Sequence, residues 1–214
     1  MQPNQFFHIY NRGNNRQKIF FSRENYLYFL EKLRIHILPH MHLIAWCLMP
    51  NHFHWLCYSK SNIAGEKFSN DLRVMLRSYA RAINKQEDRI GSLFQQHSKI
   101  KPLEFPGGNV SSDTMTRSHS ITGNRKISTP QSRATTLDLD NINQYPFTCF
   151  HYIHQNPLKA GLVKKMEDWE MSSFRDYAGI RNGKLCNKSI ASKYLYIPDN
   201  PKEFIKQSYD VKIV

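Results

Sequence analysis

The sequence predicts an α+β fold: an antiparallel sheet with helices on one face, a further helix that carries a tyrosine, and a C-terminal extension. Three observations lead there. Short apolar or aromatic runs alternate with stretches in which apolar residues recur at helical spacing. Pro50-Asn51 is a turn signal between two such runs. Residues 35–59 contain no Asp, Glu, Lys or Arg, yet five histidines and two prolines interrupt them, so they predict a pair of buried strands and not a membrane span.

The elements follow in order. Gln5 to Tyr10 (QFFHIY) reads as a strand, and Asn11 to Arg16 as a polar loop. Glu24 to Ile37 places Tyr26, Phe29, Leu30 and Leu33 on one helical face, with Ser22 as N-cap. Leu43 to Met49 is nearly continuous apolar, as a central strand is. His52 to Tyr58 returns as its neighbour across the Pro50-Asn51 turn. A second helix from about Ile63 to Asn84 has Phe68, Leu72, Met75, Leu76, Tyr79 and Ile83 at helical spacing. Its other face carries Arg73, Arg77 and Arg81. Ser92 to Leu103 reads as a fourth strand. A third helix covers Tyr145 to Asn156 and is expected to stop at Pro157, with Gly161 beyond. The order strand, helix, strand, strand, helix, strand matches a ferredoxin-like split arrangement. Residues 106–136 hold 12 Ser or Thr and few large apolar side chains, the composition of a flexible insertion. Residues 164–214 form a basic extension with no clear pattern.

Composition narrows the function classes. The chain has 214 residues, 40% apolar and 22% charged, as expected of a soluble globular protein. It carries 30 basic and 17 acidic side chains, a net +13, and residues 1–105 hold 15 of the basic ones against 7 acidic. Such an excess favours a polyanionic partner, of which nucleic acid is the commonest. Cys47, Cys57, Cys149 and Cys186 form no CxxC pair, so no thiolate zinc site is indicated and a reducing cytosol is the expected setting. MQPNQFFHIY lacks the pattern of a secretory signal.

Two features carry chemistry. His52-Phe53-His54 in a strand projects both imidazoles to one face. That supplies two ligands of a three-ligand metal site with open positions. A second pair, His40 and His42, follows Pro39 at the entrance to the apolar strand. Tyr152 lies on the last predicted helix; a phenol can attack phosphorus if a base or cation assists it. Asn156 lies four residues on, on the same face, and can offer an oxygen to the same metal; Gln155 is the alternative. His151 and His154 point away from the Tyr152 direction. Arg12, Arg16, Arg73, Arg77 and Arg81 are candidates for contacts to a phosphate backbone.

The runs YNRGNNRQ (10–17), CLMPNHFHWL (47–56), GSLFQ (91–95) and YIHQNPLKAGLV (152–163) resemble the single-tyrosine HUH transposases, more closely the REP-associated tyrosine transposases. They stand in that family's order. The resemblance implies a catalytic domain over 1–163, with the 106–136 insertion longer than expected, and a basic extension over 164–214 matched only at Trp169 and Ser172-Ser173. It implies that His52, His54 and Asn156 bind Mg²⁺ or Mn²⁺. It implies that Tyr152 is the nucleophile in a reversible nicking of single-stranded or hairpin DNA through a 5′-phosphotyrosine. It further implies a cytoplasmic monomer or homodimer with no membrane partner. Two alternatives stand beside it: a non-catalytic nucleic-acid-binding module, suggested by the charge and by the element order that RNA-binding sheets share, and a replication-initiator nuclease with the same chemistry.

Overall fold

A computed structural model describes residues 1–61, 64–104 and 145–213. Its centre is a four-stranded antiparallel sheet. Strand β1 is Phe6–Arg12, β2 Met41–Met49, β3 His52–Ser59 and β4 Lys99–Leu103, in the spatial order β2-β3-β1-β4. The 106–136 segment lies outside the described residues.

Side chains alternate across the sheet with period two, except where β2 bulges between Leu43 and Ala45. Phe7 and Ile9 of β1, Leu43, Trp46 and Leu48 of β2, and Phe53, Trp55 and Cys57 of β3 point to one side. There they meet helix α1 (Arg23–His36) and helix α2 (Gly65–Gln86). In α2 the six predicted apolar positions are all buried, each worth roughly 1.5–3 kcal/mol of transfer free energy. Ser22 caps α1 as expected. Asn25 completes the cap by accepting hydrogen bonds from the Phe21 and Ser22 N–H groups at 3.0 and 3.1 Å.

The opposite face is covered by helix α3 (Pro146–Lys159) and by everything that follows it. Cys149, Phe150 and Ile153 of α3 form one core with Phe6, Ala45, Cys47 and Leu56 of the sheet. Met166, Phe174, Tyr177, Leu195 and Phe204 of the C-terminal residues complete it. The extension is therefore ordered, with helices α4 (Phe174–Tyr177), α5 (Lys188–Leu195) and α6 (Pro201–Asp210). It also lines the outer edge of β2. The Leu48 N–H donates to the Met171 carbonyl (2.9 Å), Ser173 N–H to the Trp46 carbonyl (2.9 Å) and Asn187 N–H to the Leu43 carbonyl (2.8 Å).

Two boundaries differ from expectation. The fourth strand spans Lys99–Leu103 and not Ser92 onward. Leu93 and Phe94 enter the core and pair with the end of β1 through a separate bridge, Gln95 N–H to the Arg12 carbonyl and Asn14 N–H to the Leu93 carbonyl (both 2.9 Å). Between it and β4 the Asn11 side chain donates to the Gln95 carbonyl (3.3 Å) and to Ser98 Oγ (3.0 Å), so a side chain interrupts the backbone ladder. Helix α3 runs through Pro157 to Lys159. A proline removes one helical hydrogen bond; the last turn closes regardless, by the Ala160 N–H on the Asn156 carbonyl (2.9 Å) and with Gly161 at φ +68°.

Candidate active site

The site lies on the α3 face of the sheet, at the end where β3 begins. The register sets Tyr10 opposite His54 and Arg12 opposite His52, so these four side chains share that face. His8, one pleat further along β1, joins them. Its Nε2 lies 2.9 Å from His54 Nδ1, and the two rings stack at 5.0 Å. The rings of His52 and His54 stand 5.0 Å apart, nearly perpendicular. Helix α3 brings Tyr152 over them, edge-on to His54 at 5.5 Å and to His8 at 6.2 Å. Asn156, one turn later, is half-buried and donates to the Tyr152 carbonyl at 3.0 Å.

The turn before His52 is locked to the loop after β1. The Gly13 N–H donates to the Asn51 carbonyl (2.8 Å), and the Ile19 and Phe20 N–H groups to the Pro50 carbonyl (2.8 and 3.2 Å). The Asn51 amide donates to the Arg16 carbonyl (3.4 Å) and accepts at Oδ1 from His52 Nδ1 (2.6 Å). Gly13 has no alternative here: a Cβ on it would sit 2.1 Å from the Gln17 carbonyl oxygen.

The electrostatics favour neutral imidazoles. Burial, helped by the Arg12 charge, lowers the His52 pKa to about 4. His54 lies well below its ordinary value through burial first, then His8, His52 and Arg12. Burial raises the Tyr152 phenol above its ordinary value; the Asn156 side chain and, more weakly, Arg12 pull the other way.

The structure thus brings together His52, His54, Tyr152, Asn156 and Arg12. Arg16 is exposed in the adjoining loop. Gln155 is not part of the group: its amide donates to the Ser208 and Val211 carbonyls at 3.0 and 2.7 Å, on the α6 side. Arg73, Arg77 and Arg81 lie on the other side of the sheet, where they line an open groove between α2 and residues 91–98. The second histidine pair does not converge. His40 pairs with Asp71 at 2.7 Å, and His42 contacts Asn187 at 3.4 Å. His154 is buried against Ser173 (2.7 Å), away from the site.

Sequence reasoning missed His8, Tyr10, Lys99 and Lys101. His8 and Tyr10 are spaced two apart in β1, the same signal as His52 and His54, but only the strand order reveals that the two pairs adjoin. Lys99 and Lys101 are the register partners of Tyr10 and His8, and Lys101 Nζ lies 6.0 Å from the centre of the Tyr10 ring.

No protein-family model matches this sequence, and no curated protein matches it. Among solved structures the chain is similar to a REP-associated tyrosine transposase bound to a REP hairpin. The TM-score is 0.51 at 16% identity, and the match covers 87% of this chain and 90% of that one. At that identity the likeness is one of fold, and the fold is the α+β arrangement described above.

Proposed function

We propose that this chain nicks single-stranded DNA and transfers the cut strand, with Tyr152 as nucleophile. One observation carries the reading: a phenol on α3 is held against the buried, neutral imidazole of His54, with His52 beside it and Asn156 one helical turn away. The structural neighbour is bound to a REP hairpin, and this chain carries a net charge of +13; single-stranded or hairpin DNA is the substrate class we assign.

The donor set suits a divalent ion. Both imidazoles are neutral and keep a lone pair, and the Asn156 side chain adds an amide oxygen. The third protein ligand in this reading is the Asn156 amide oxygen, one helical turn from Tyr152. His52, His54 and Asn156 would hold Mn²⁺ or Mg²⁺, which when bound supplies Lewis-acid polarisation of the scissile phosphate.

The chain's own residues do the rest. Tyr152 Oη attacks phosphorus; the bond from phosphorus to the 3′-oxygen breaks, leaving a 5′-phosphotyrosine and a free 3′-hydroxyl. The phenol loses its proton to solvent, and the leaving 3′-oxygen gains one. Asn156 and Arg12 favour the phenolate against the cost of burial. Arg12, Arg16, Lys99 and Lys101 border the site and are placed to neutralise flanking phosphates. A second 3′-hydroxyl reverses the step and rejoins the strand, because the ester retains the energy of the broken bond.

The test is a denaturing gel of labelled hairpin-bearing single strands incubated with protein and Mn²⁺. A covalent adduct is expected, absent in Tyr152→Phe and absent with EDTA. An adduct that persists in Tyr152→Phe removes the assigned nucleophile. Salt-sensitive binding with no adduct on any hairpin tried favours a non-catalytic binding module.

A further inference from the structure

A histidine can serve as a metal ligand at Nε2 only if the neutral ring carries its proton on Nδ1. The two histidines of the site are set in this respect by different neighbours. For His52 the neighbour is Asn51. The Asn51 amide nitrogen faces a carbonyl, that of Arg16 at 3.4 Å, so its oxygen faces His52 Nδ1 at 2.6 Å. An amide oxygen only accepts; His52 therefore carries its proton on Nδ1 and leaves Nε2 bare.

For His54 the neighbour is His8, almost fully buried at 2% exposure. The 2.9 Å contact joins His8 Nε2 to His54 Nδ1. One proton lies between these nitrogens, and either ring can own it. If His8 donates, the neutral His54 ring must carry its own proton on Nε2 and cannot ligate there. If His54 donates, its Nε2 is bare, like that of His52.

We propose that His8 is a positioning residue. Its Nε2 accepts the Nδ1 proton of His54 and so holds His54 in the tautomer that presents a bare Nε2 beside that of His52. The inference rests on the reading of His52 and His54 as metal ligands and goes beyond it, since it assigns a role to a residue outside the ligand set. It also leaves His8 no bare nitrogen for the ion: its Nε2 accepts from His54, so its own proton sits on Nδ1. Outer-shell partners of this kind typically contribute 10- to 100-fold in metal affinity.

Two measurements test it. The first is the ring-nitrogen spectrum of ¹⁵N-histidine-labelled, metal-free protein, with each signal assigned by His→Asn replacement. His54 is expected with its proton on Nδ1; a proton on Nε2 overturns the proposal. The second is Mn²⁺ binding by electron paramagnetic resonance. His8→Leu, which removes the acceptor, is expected to weaken binding about 10- to 100-fold. His8→Gln restores a carbonyl acceptor and is expected to recover most of it. Equal losses in the two variants, both shown folded by circular dichroism, would indicate packing alone and overturn the proposal. If His8→Leu does not fold, the nitrogen spectrum of the intact protein still decides. His54→Ala separates this inference from the reading beneath it. Mn²⁺ affinity unchanged in His54→Ala removes the ligand assignment itself. Affinity lost in His54→Ala but kept in His8→Leu removes only the role of His8.

Discussion

At Gly13 a hydrogen atom occupies space that no carbon can enter, because the Gln17 carbonyl oxygen lies 2.1 Å from where a Cβ would be. Gly13→Ala must displace the loop, with it the Asn51 carbonyl that Gly13 bonds and the turn before His52. The expected cost is about 2–3 kcal/mol, read as a lower midpoint in chemical denaturation, with weaker Mn²⁺ binding alongside. The donor set leads to a second expectation. Two imidazoles and an amide lack the carboxylates that Mg²⁺ prefers, so Mn²⁺ should support adduct formation at about a tenth of the Mg²⁺ concentration or less. A titration with each metal checks this; equal requirements would point to an oxygen-rich site. At this scale the sequence was informative where chemistry is local. Two histidines alternate on one strand, and a tyrosine and an asparagine sit one helical turn apart. It was silent on His8 and Tyr10, because their place depends on β1 lying next to β3 across more than forty residues of chain.

Among the elements, the buried face of α2 was legible to the residue because its apolar period is unbroken, although the helix begins and ends two residues later than expected. The fourth strand was not, since Leu93 and Phe94 are as apolar as a strand residue and do pair with the end of β1, and the Asn11 amide, remote in sequence, interrupts the ladder between them and Lys99. Helix α3 outran Pro157 because one missing hydrogen bond in a final turn is a small loss beside the burial of its face. The C-terminal elements had no period to read: they are short and meet the sheet through scattered aromatics. They nevertheless complete the core beneath Tyr152. Phe204→Ala, fully buried there, should cost about 3–5 kcal/mol in stability. A chain ending at residue 163 should lose cooperative unfolding; a sharp transition in that truncation would show the extension to be dispensable. The arginine row of α2 raises a separate expectation. If the groove holds a strand, replacing Arg73, Arg77 and Arg81 with Gln should flatten the log–log salt dependence of binding by roughly 0.7 for each phosphate lost. An unchanged slope would mark the row as a solvated face.

For the whole molecule, the buried histidines set its response to acid. His52 is lowered to about 4, and His54, His151 and His154 are all lowered, each mainly by burial. In the unfolded chain these rings take up protons near 6.5. Between that value and their folded values the unfolded state binds more protons, so stability falls as pH falls. Unfolding temperature should therefore drop steadily from pH 7 toward pH 4, and more gently in His154→Gln than in the parent. A flat profile would mean that the rings are solvated.

Because residues 171–187 line β2, one side of the sheet is closed to any newcomer. The opposite margin is β4, five residues long, with exposed Lys99 and Lys101 and with Pro102, which has no N–H to offer. A strand from another molecule would find few bonds and two positive charges there. Among the described residues, this margin thus discourages growth by strand addition.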